Sequence, residues 1–303
     1  MVRPKLAFVG SGGATKGIAH LGVLKALEEI GIRPDIHVGT SSGALAAAFF
    51  AQGVGSEEMM DWLRPRWRRS TSRGIKGRAF LGLPRGEELR SPGRLTSGLL
   101  SIDRFERHLE NELPMNDFRQ LDTTLLVTAT DIDGKGRTVF GRGHREDVPI
   151  SQAVAASCCV PLLFRPYRID DRYYLDGELV RTLSIDLAVD AGADIVVVSN
   201  VYRPHFDGGP SIASEGPMAI ARQALNILLS EKEARGIELL AERYPRVTIL
   251  NVSPDLGAFS FTSRRNARKL LLRGYREGLR VLVAAKRRGL LDGDRIGPAV
   301  GQA

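Results

Sequence analysis

Short apolar runs and helical stripes alternate from the first residues of this chain. Lys5 to Val9 is a compact apolar run that predicts a buried strand, and Gly10 to Gly13 ends it in a turn. Ile18, Leu21, Val23, Leu24 and Leu27 then fit a helix closing near Gly31. Ile36 to Val38 predicts a second strand, with Ala44 to Ala51 as the helix behind it. Two successive strand–turn–helix units predict an α/β fold, with a mostly parallel central sheet between helical layers (α/β/α).

From Arg64 to Gly98 the rhythm breaks. Gly, Pro, Ser and Arg accumulate without periodicity, which predicts a long mobile excursion. Beyond it, Ile102 to Leu113 is helical, with Ser101 or Asp103 near its start. Thr124 to Thr130 and Arg137 to Phe140 read as strands joined at Asp133-Gly134. Ile150 to Ser157 is a short helix stopped by Pro161, and Tyr173 to Leu175 leads as a strand into Asp176-Gly177. A strand at Ile195 to Ser199, a helix at Met218 to Glu242 and a strand at Val247 to Leu250 follow. Phe261 to Arg288 closes the pattern as a basic amphipathic helix. With no repeat and no linker, the expectation is one domain over residues 1–303, its core at about 5–200.

Hydrophobic residues make up 43% of the chain and charged ones 26%, a balance of soluble globular rather than disordered proteins. No secretory signal is visible near the start, and no apolar stretch approaches the ~20 residues that cross a bilayer. Cys158 and Cys159 are the only cysteines; being adjacent, they supply neither a disulfide framework nor a zinc site. A reduced, cytoplasmic location is the expectation, with peripheral membrane contact. The net charge of +8 is unevenly spread: ten Lys/Arg lie between Trp62 and Arg94 and ten more between Arg264 and Arg288. Such a surplus fits a solvated basic face or an anionic membrane surface. No nucleic-acid motif accompanies it, so no nucleic-acid partner is expected.

The glycine turn, Gly10 to Gly17, opens the first helix, where exposed amides favour anions. A dinucleotide loop would need glycine at Thr15, and a phosphate loop would need lysine after its last glycine, whereas Lys16 precedes Gly17. The third use of such a turn is an oxyanion hole. Some residues later, Gly39-Thr40-Ser41-Ser42-Gly43 sits at a strand-to-helix junction, the layout of a nucleophile elbow that presents the Ser41 hydroxyl. The pentapeptide also fits a plain tight turn with Ser41 as helix cap.

A serine hydroxyl needs a base or an unusually stabilising site. His20 and His37 lie in the first helix and second strand, His108 on the helix after the excursion, and His144 and His205 in loops. None has the placement of a triad histidine, although His205 comes closest. Asp176-Gly177 instead delivers a carboxylate at the end of an apolar strand; the same dipeptide also fits an ordinary turn.

Together these residues resemble the patatin-like phospholipases, which carry a G-G-G-x-[K/R]-G turn, a G-x-S-x-G elbow and a later D-G-[A/G]. Gly12-Gly13-Ala14-Thr15-Lys16-Gly17 is similar to the first, with Ala14 in place of the third glycine. Gly39 to Gly43 matches the second, and Asp176-Gly177-Glu178 resembles the third, with Glu178 where a small residue is usual. Ala129-Thr130-Asp131 and Ala156-Ser157 with Pro161 and Phe164 add to the likeness, while Arg181-Thr182-Leu183 replaces the usual Asn-x-Pro. The resemblance implies a Ser–Asp dyad without histidine, Ser41 as nucleophile and Asp176 as base, and ester hydrolysis through an acyl-enzyme. It implies oxyanion amides from Gly12, Gly13 and Ala14, supported by Lys16, Gly17, Gly39, Gly43 and Gly177, with no metal and no cofactor. Lipid or acyl esters are the expected substrates, the alternative being a low-turnover scaffold that binds membranes or partners. Residues 64–98 would form a lid or docking element, with Trp62, Trp67 and Phe80 entering the lipid interface. The oligomeric state is left open.

Overall fold

In the computed structural model, which describes residues 3–63, 100–134, 136–181, 183–201, 211–257 and 266–291, the first two apolar runs become β1 (Leu6–Gly10) and β2 (Ile36–Thr40). They pair in parallel, with Gly10 beside Gly39. Every residue of both strands is buried, as a strand covered on both faces requires. Each is followed by a helix: α1 (Ile18–Glu29) and α2 (Ser42–Phe50).

Eight strands form one sheet, ordered β5-β6-β3-β2-β1-β7-β8, with β4 paired to β3 off this path. β3 (Thr124–Asp131), β7 (Ile195–Ser199) and β8 (Thr248–Val252) run parallel to the central pair. β4 (Gly136–Gly141), β5 (Tyr167–Ile169) and β6 (Arg172–Asp176) form an antiparallel flank. β3 is shared unusually. Its first residues, Thr124 to Thr128, pair with β2, and the next three, Ala129 to Asp131, pair with β6. Because β4 also pairs with Leu126 to Asp131, β2 and β6 occupy the same opposite edge, end to end.

The remaining helices are α3 (Ser56–Leu63), α4 (Asp103–Glu112), α5 (Ile150–Ser157), α6 (Ile185–Asp190), α7 (Pro217–Arg243) and α8 (Ala267–Arg287). Alternation along β1 divides the core into two layers. Leu6 and Phe8 join Leu24, Ala47 and Leu282 on one face, while Ala7 and Val9 join Ile185, Ala188 and Leu240 on the other. α8 lies parallel to α1 at contact distance. A Cβ on Gly22 would stand 2.1 Å from the Leu271 carbonyl oxygen, and one on Gly274 2.1 Å from that of Ala19. The sheet and this helix carry the ordered core past residue 200.

Three short elements, α3, α6 and β5, have no counterpart in the apolar pattern. The excursion, with Trp67 and Phe80, lies outside the described residues, as do His205 and the start of the last predicted helix. Trp62 is described, and it corrects an expectation. It is 6% exposed and stacks on His108 at 5.4 Å between ring centroids, with Phe49 at 5.0 Å. It is a core residue, unavailable to a lipid interface.

Candidate active site

The end-to-end arrangement of β2 and β6 builds the site. Thr40 pairs with Thr128 and Asp176 with Ala129, so the two chain segments arrive at adjacent rungs of β3. Threonines fasten both ends: Thr40 Oγ1 lies 2.7 Å from Thr128 Oγ1, and Thr130 Oγ1 donates to the Asp176 carbonyl at 2.9 Å. The next residue after Thr40 is Ser41.

Ser41 adopts φ 54° and ψ −122°, a conformation that non-glycine residues enter only at a cost. It stands at the N-terminus of α2, and its amide donates to Ser157 Oγ at 2.7 Å, pinning the strained turn to the end of α5. The tight turn demands small neighbours. A Cβ on Gly39 would lie 2.4 Å from Ala44 Cα, on Gly43 2.3 Å from the Gly10 carbonyl oxygen, on Gly17 2.3 Å from Ser42 Cβ, and on Gly177 2.4 Å from the Thr128 carbonyl oxygen. All four glycines therefore hold backbone against backbone or side chain at distances no larger residue permits.

Asp176 is buried, and burial raises its carboxyl from the ordinary 3.8 to about 6. Hydrogen bonds from the Glu178 amide, 3.0 Å from Oδ1, and from the Ser41 side chain pull in the opposite direction. The half-buried Cys158 also hydrogen bonds with Ser41; burial and the nearby Asp176 push its thiol well above its usual range, so it stays protonated.

The glycine turn lies on the β1 side of the elbow. Ala14 carries φ 47°, taking the left-handed conformation without a glycine's freedom. A buried network anchors the turn from behind. The Ser11 amide donates to the Ser199 carbonyl at 3.1 Å, and Ser11 Oγ accepts from the Val201 amide at 3.0 Å. His20 Nε2 is 2.8 Å from the Ser11 carbonyl and Nδ1 2.7 Å from Ser199 Oγ. A carbonyl can only accept, so Nε2 carries the proton and Nδ1 accepts from Ser199. Burial lowers the His20 pKa to about 4 and keeps the ring neutral, the Ser11 bond opposing. Lys16 is half-buried, its pKa lowered by desolvation while Asp255 works against the shift.

Gly12, one of three expected oxyanion donors, has its N–H directed to Glu178 Oε1 at 2.5 Å. Ser157 and His20 escape the functional reading of the sequence: Ser157 stands within the family likeness without an assigned task, and His20 looks like a packing residue. Glu178 reads there as a second carboxylate able to raise the pKa of the pair it forms with Asp176; the structure instead attributes the raised Asp176 pKa to burial and turns the Glu178 carboxylate to the Gly12 amide. The other described histidines are committed elsewhere: His37 against Phe50, His108 on Trp62, and His144 at the surface. Among the described residues, no three His, Cys, Asp or Glu side chains group as metal ligands would.

Fold and site together define an α/β protein with a strained elbow serine beside a buried carboxylate. The chain belongs to the patatin-like phospholipase family, whose model matches residues 8–189. An uncharacterised NTE family protein of Mycobacterium tuberculosis is 25% identical over 217 residues, which are 70% of this chain and 54% of that protein. Patatin-like phospholipase domain-containing protein 6 of Mus musculus is 25% identical over 196 residues, 65% of this chain and 13% of the mouse protein. This chain thus spans about half the length of the mycobacterial relative and far less of the mouse one. VipD from Legionella pneumophila shares the fold, with a TM-score of 0.50 at 15% identity over 93% of this chain and 67% of its own. Among the described residues no helix is long and apolar enough to cross a membrane.

Proposed function

We propose that the protein is a serine acyl hydrolase of lipid esters that works through Ser41 and Asp176. The observation that carries this reading is the meeting of a strained elbow serine with a buried carboxyl whose pKa is raised to about 6. A carboxylate with that pKa is ionised at neutral pH yet binds a proton more readily than an ordinary aspartate. Ser41 Oγ attacks the ester carbonyl while its proton passes to Asp176. The amides of Gly13 and Ala14, with the N-terminus of α2, stabilise the oxyanion. The leaving alcohol takes the proton from Asp176, and water then cleaves the acyl-Ser41 ester with the same carboxylate as base. Family membership supports lipid esters as substrates. The exposed cations of α8, among them Arg268, Lys269, Arg276 and Arg287, with Arg288 just beyond its end, support contact with an anionic membrane surface.

The test is labelling with an alkyl fluorophosphonate alongside hydrolysis of p-nitrophenyl butyrate. The wild type should be labelled and active, and the folded Ser41→Ala variant neither. Equal turnover by both, or none by the wild type, refutes the reading in favour of a binding scaffold.

A further inference from the structure

We propose that His20 and Ser11 are positioning residues for the acyl-transfer chemistry: together they fix the backbone orientation that aims the Gly13 N–H at the developing oxyanion. The inference rests on the hydrolase reading above and names the side chains that hold its oxyanion donors in place.

In a trans peptide the C=O of one residue and the N–H of the next point in opposite directions. Tying down a carbonyl therefore decides where the following N–H points. Three successive carbonyls of the glycine turn are tied. The Ser11 carbonyl accepts from His20 Nε2 at 2.8 Å, the Gly12 carbonyl from Ser11 Oγ at 2.9 Å, and the Gly13 carbonyl from the Lys16 amide at 2.9 Å. The first tie accounts for Gly12, whose N–H is turned away from His20 and meets Glu178 Oε1. The second sets the Gly13 N–H, and the third, a backbone closure, sets that of Ala14. Only the first two depend on side chains.

Both side chains are braced in turn. His20, Ser11 and Ser199 are completely buried. Because Nε2 donates to a carbonyl, Nδ1 is left to accept from Ser199 Oγ at 2.7 Å, and that bond selects the tautomer. The single proton of the Ser11 hydroxyl goes to the Gly12 carbonyl, while its oxygen accepts the Val201 amide at 3.0 Å. The end of β7 and the residues just beyond it thus orient both the ring and the hydroxyl. None of these bonds involves Ser41 or Asp176. Their loss should therefore weaken the hold on the transition state and leave substrate binding alone.

Butaneboronic acid separates these effects. Its boron takes an electron pair from Ser41 Oγ, the serine proton passes to Asp176, and the boron centre becomes a tetrahedral anion facing the oxyanion donors. His20→Phe keeps a ring against Phe8, which His20 meets edge-on at 6.3 Å, but gives the Ser11 carbonyl no donor. With p-nitrophenyl butyrate it should lower kcat roughly 10- to 100-fold with KM little changed. Inhibition by butaneboronic acid should weaken by a similar factor, and Ser11→Ala should behave alike. In NMR spectra of the wild type, His20 should carry an exchange-protected proton on Nε2, and the boronic acid should move the Gly13 amide proton downfield. A folded His20→Phe or Ser11→Ala variant with wild-type kcat and boronic-acid affinity overturns the proposal, as does a loss of kcat with that affinity unchanged. Should neither variant fold, the wild-type spectra decide alone: both signals must be present. Turnover that survives Ser41→Ala sinks the underlying hydrolase reading instead.

Discussion

Asp176 and Thr40 end on neighbouring rungs of one strand, paired to Ala129 and Thr128 of β3. β6 runs toward β2 along the same edge, so the residue after Thr40 meets the last residue of β6. Convergence of Ser41 and Asp176 is thus a property of strand register and needs no long loop. On the proposed mechanism Asp176 takes the serine proton only when ionised, so kcat/KM for p-nitrophenyl butyrate should rise with pH through about 6 and then level off. A pH–rate profile that stays flat across that range would speak against Asp176 as the base.

The same carboxyl should cost stability. Its pKa is raised on folding, so the stability of the protonated form is complete below 3.8 and is lost as pH rises through about 6. Asp176→Asn keeps an acceptor for the Glu178 amide and carries no charge. It should therefore be more stable than the wild type at pH 8, by on the order of 3 kcal/mol. Urea unfolding at pH 8 and pH 4.5 should show this gap closing on the acid side.

The elements that dominate this fold are those with long apolar runs. β1, β2, β3 and β7 are buried along nearly their whole length, and such strands announce themselves in composition. β5 has three residues and α6 six, too few for a period to show. The site was legible where chemistry forces a local motif, at Gly39 to Gly43 and Asp176-Gly177. It was illegible where tertiary contact assigns the task. Ser157 meets Ser41 across 116 residues, Glu178 meets Gly12 across 166, and His20 meets Ser199 across 179. No spacing rule reaches that far, and a buried polar residue on an apolar helix face reads like packing until its partner is seen.

Ser157 should matter to rate more than to binding. Its hydroxyl accepts the amide of the strained Ser41, and Ser157→Ala leaves that buried N–H without its partner. We expect kcat to fall roughly 10- to 100-fold with KM little changed, together with a stability loss of ~1–3 kcal/mol. Steady-state kinetics and urea unfolding on the same preparation check both.

Acid should unfold the protein through its buried histidines. His20 and His37 are each lowered by burial to about 4, against 6.5 in the unfolded chain. Their neutral forms therefore contribute stability that is complete above about pH 6.5 and drains away as pH falls toward 4. Each should cost about 2 kcal/mol at pH 5. His37 Nδ1 has no hydrogen-bond partner, and the ring packs edge-on against Phe50 at 5.9 Å. His37→Phe should keep that contact without titrating, and so lose less stability than the wild type between pH 7 and pH 5 in paired urea titrations.

Ala14 offers a test of strain at the glycine turn. Its φ of 47° costs an L-residue ~1–2 kcal/mol that glycine would not bear. Ala14→Gly relieves that cost but loosens the unfolded chain by ~0.4–1 kcal/mol, leaving a net gain of up to about 1.6 kcal/mol. For a chain of this size the melting temperature should rise by ~1–3 °C. The family's usual residue at this position is glycine, so the substitution asks whether this chain carries strain its relatives avoid. A fall in melting temperature would mean that the Ala14 methyl makes contacts worth more than the backbone conformation costs, and that the turn is held in place by packing as well as by the His20–Ser11–Ser199 network.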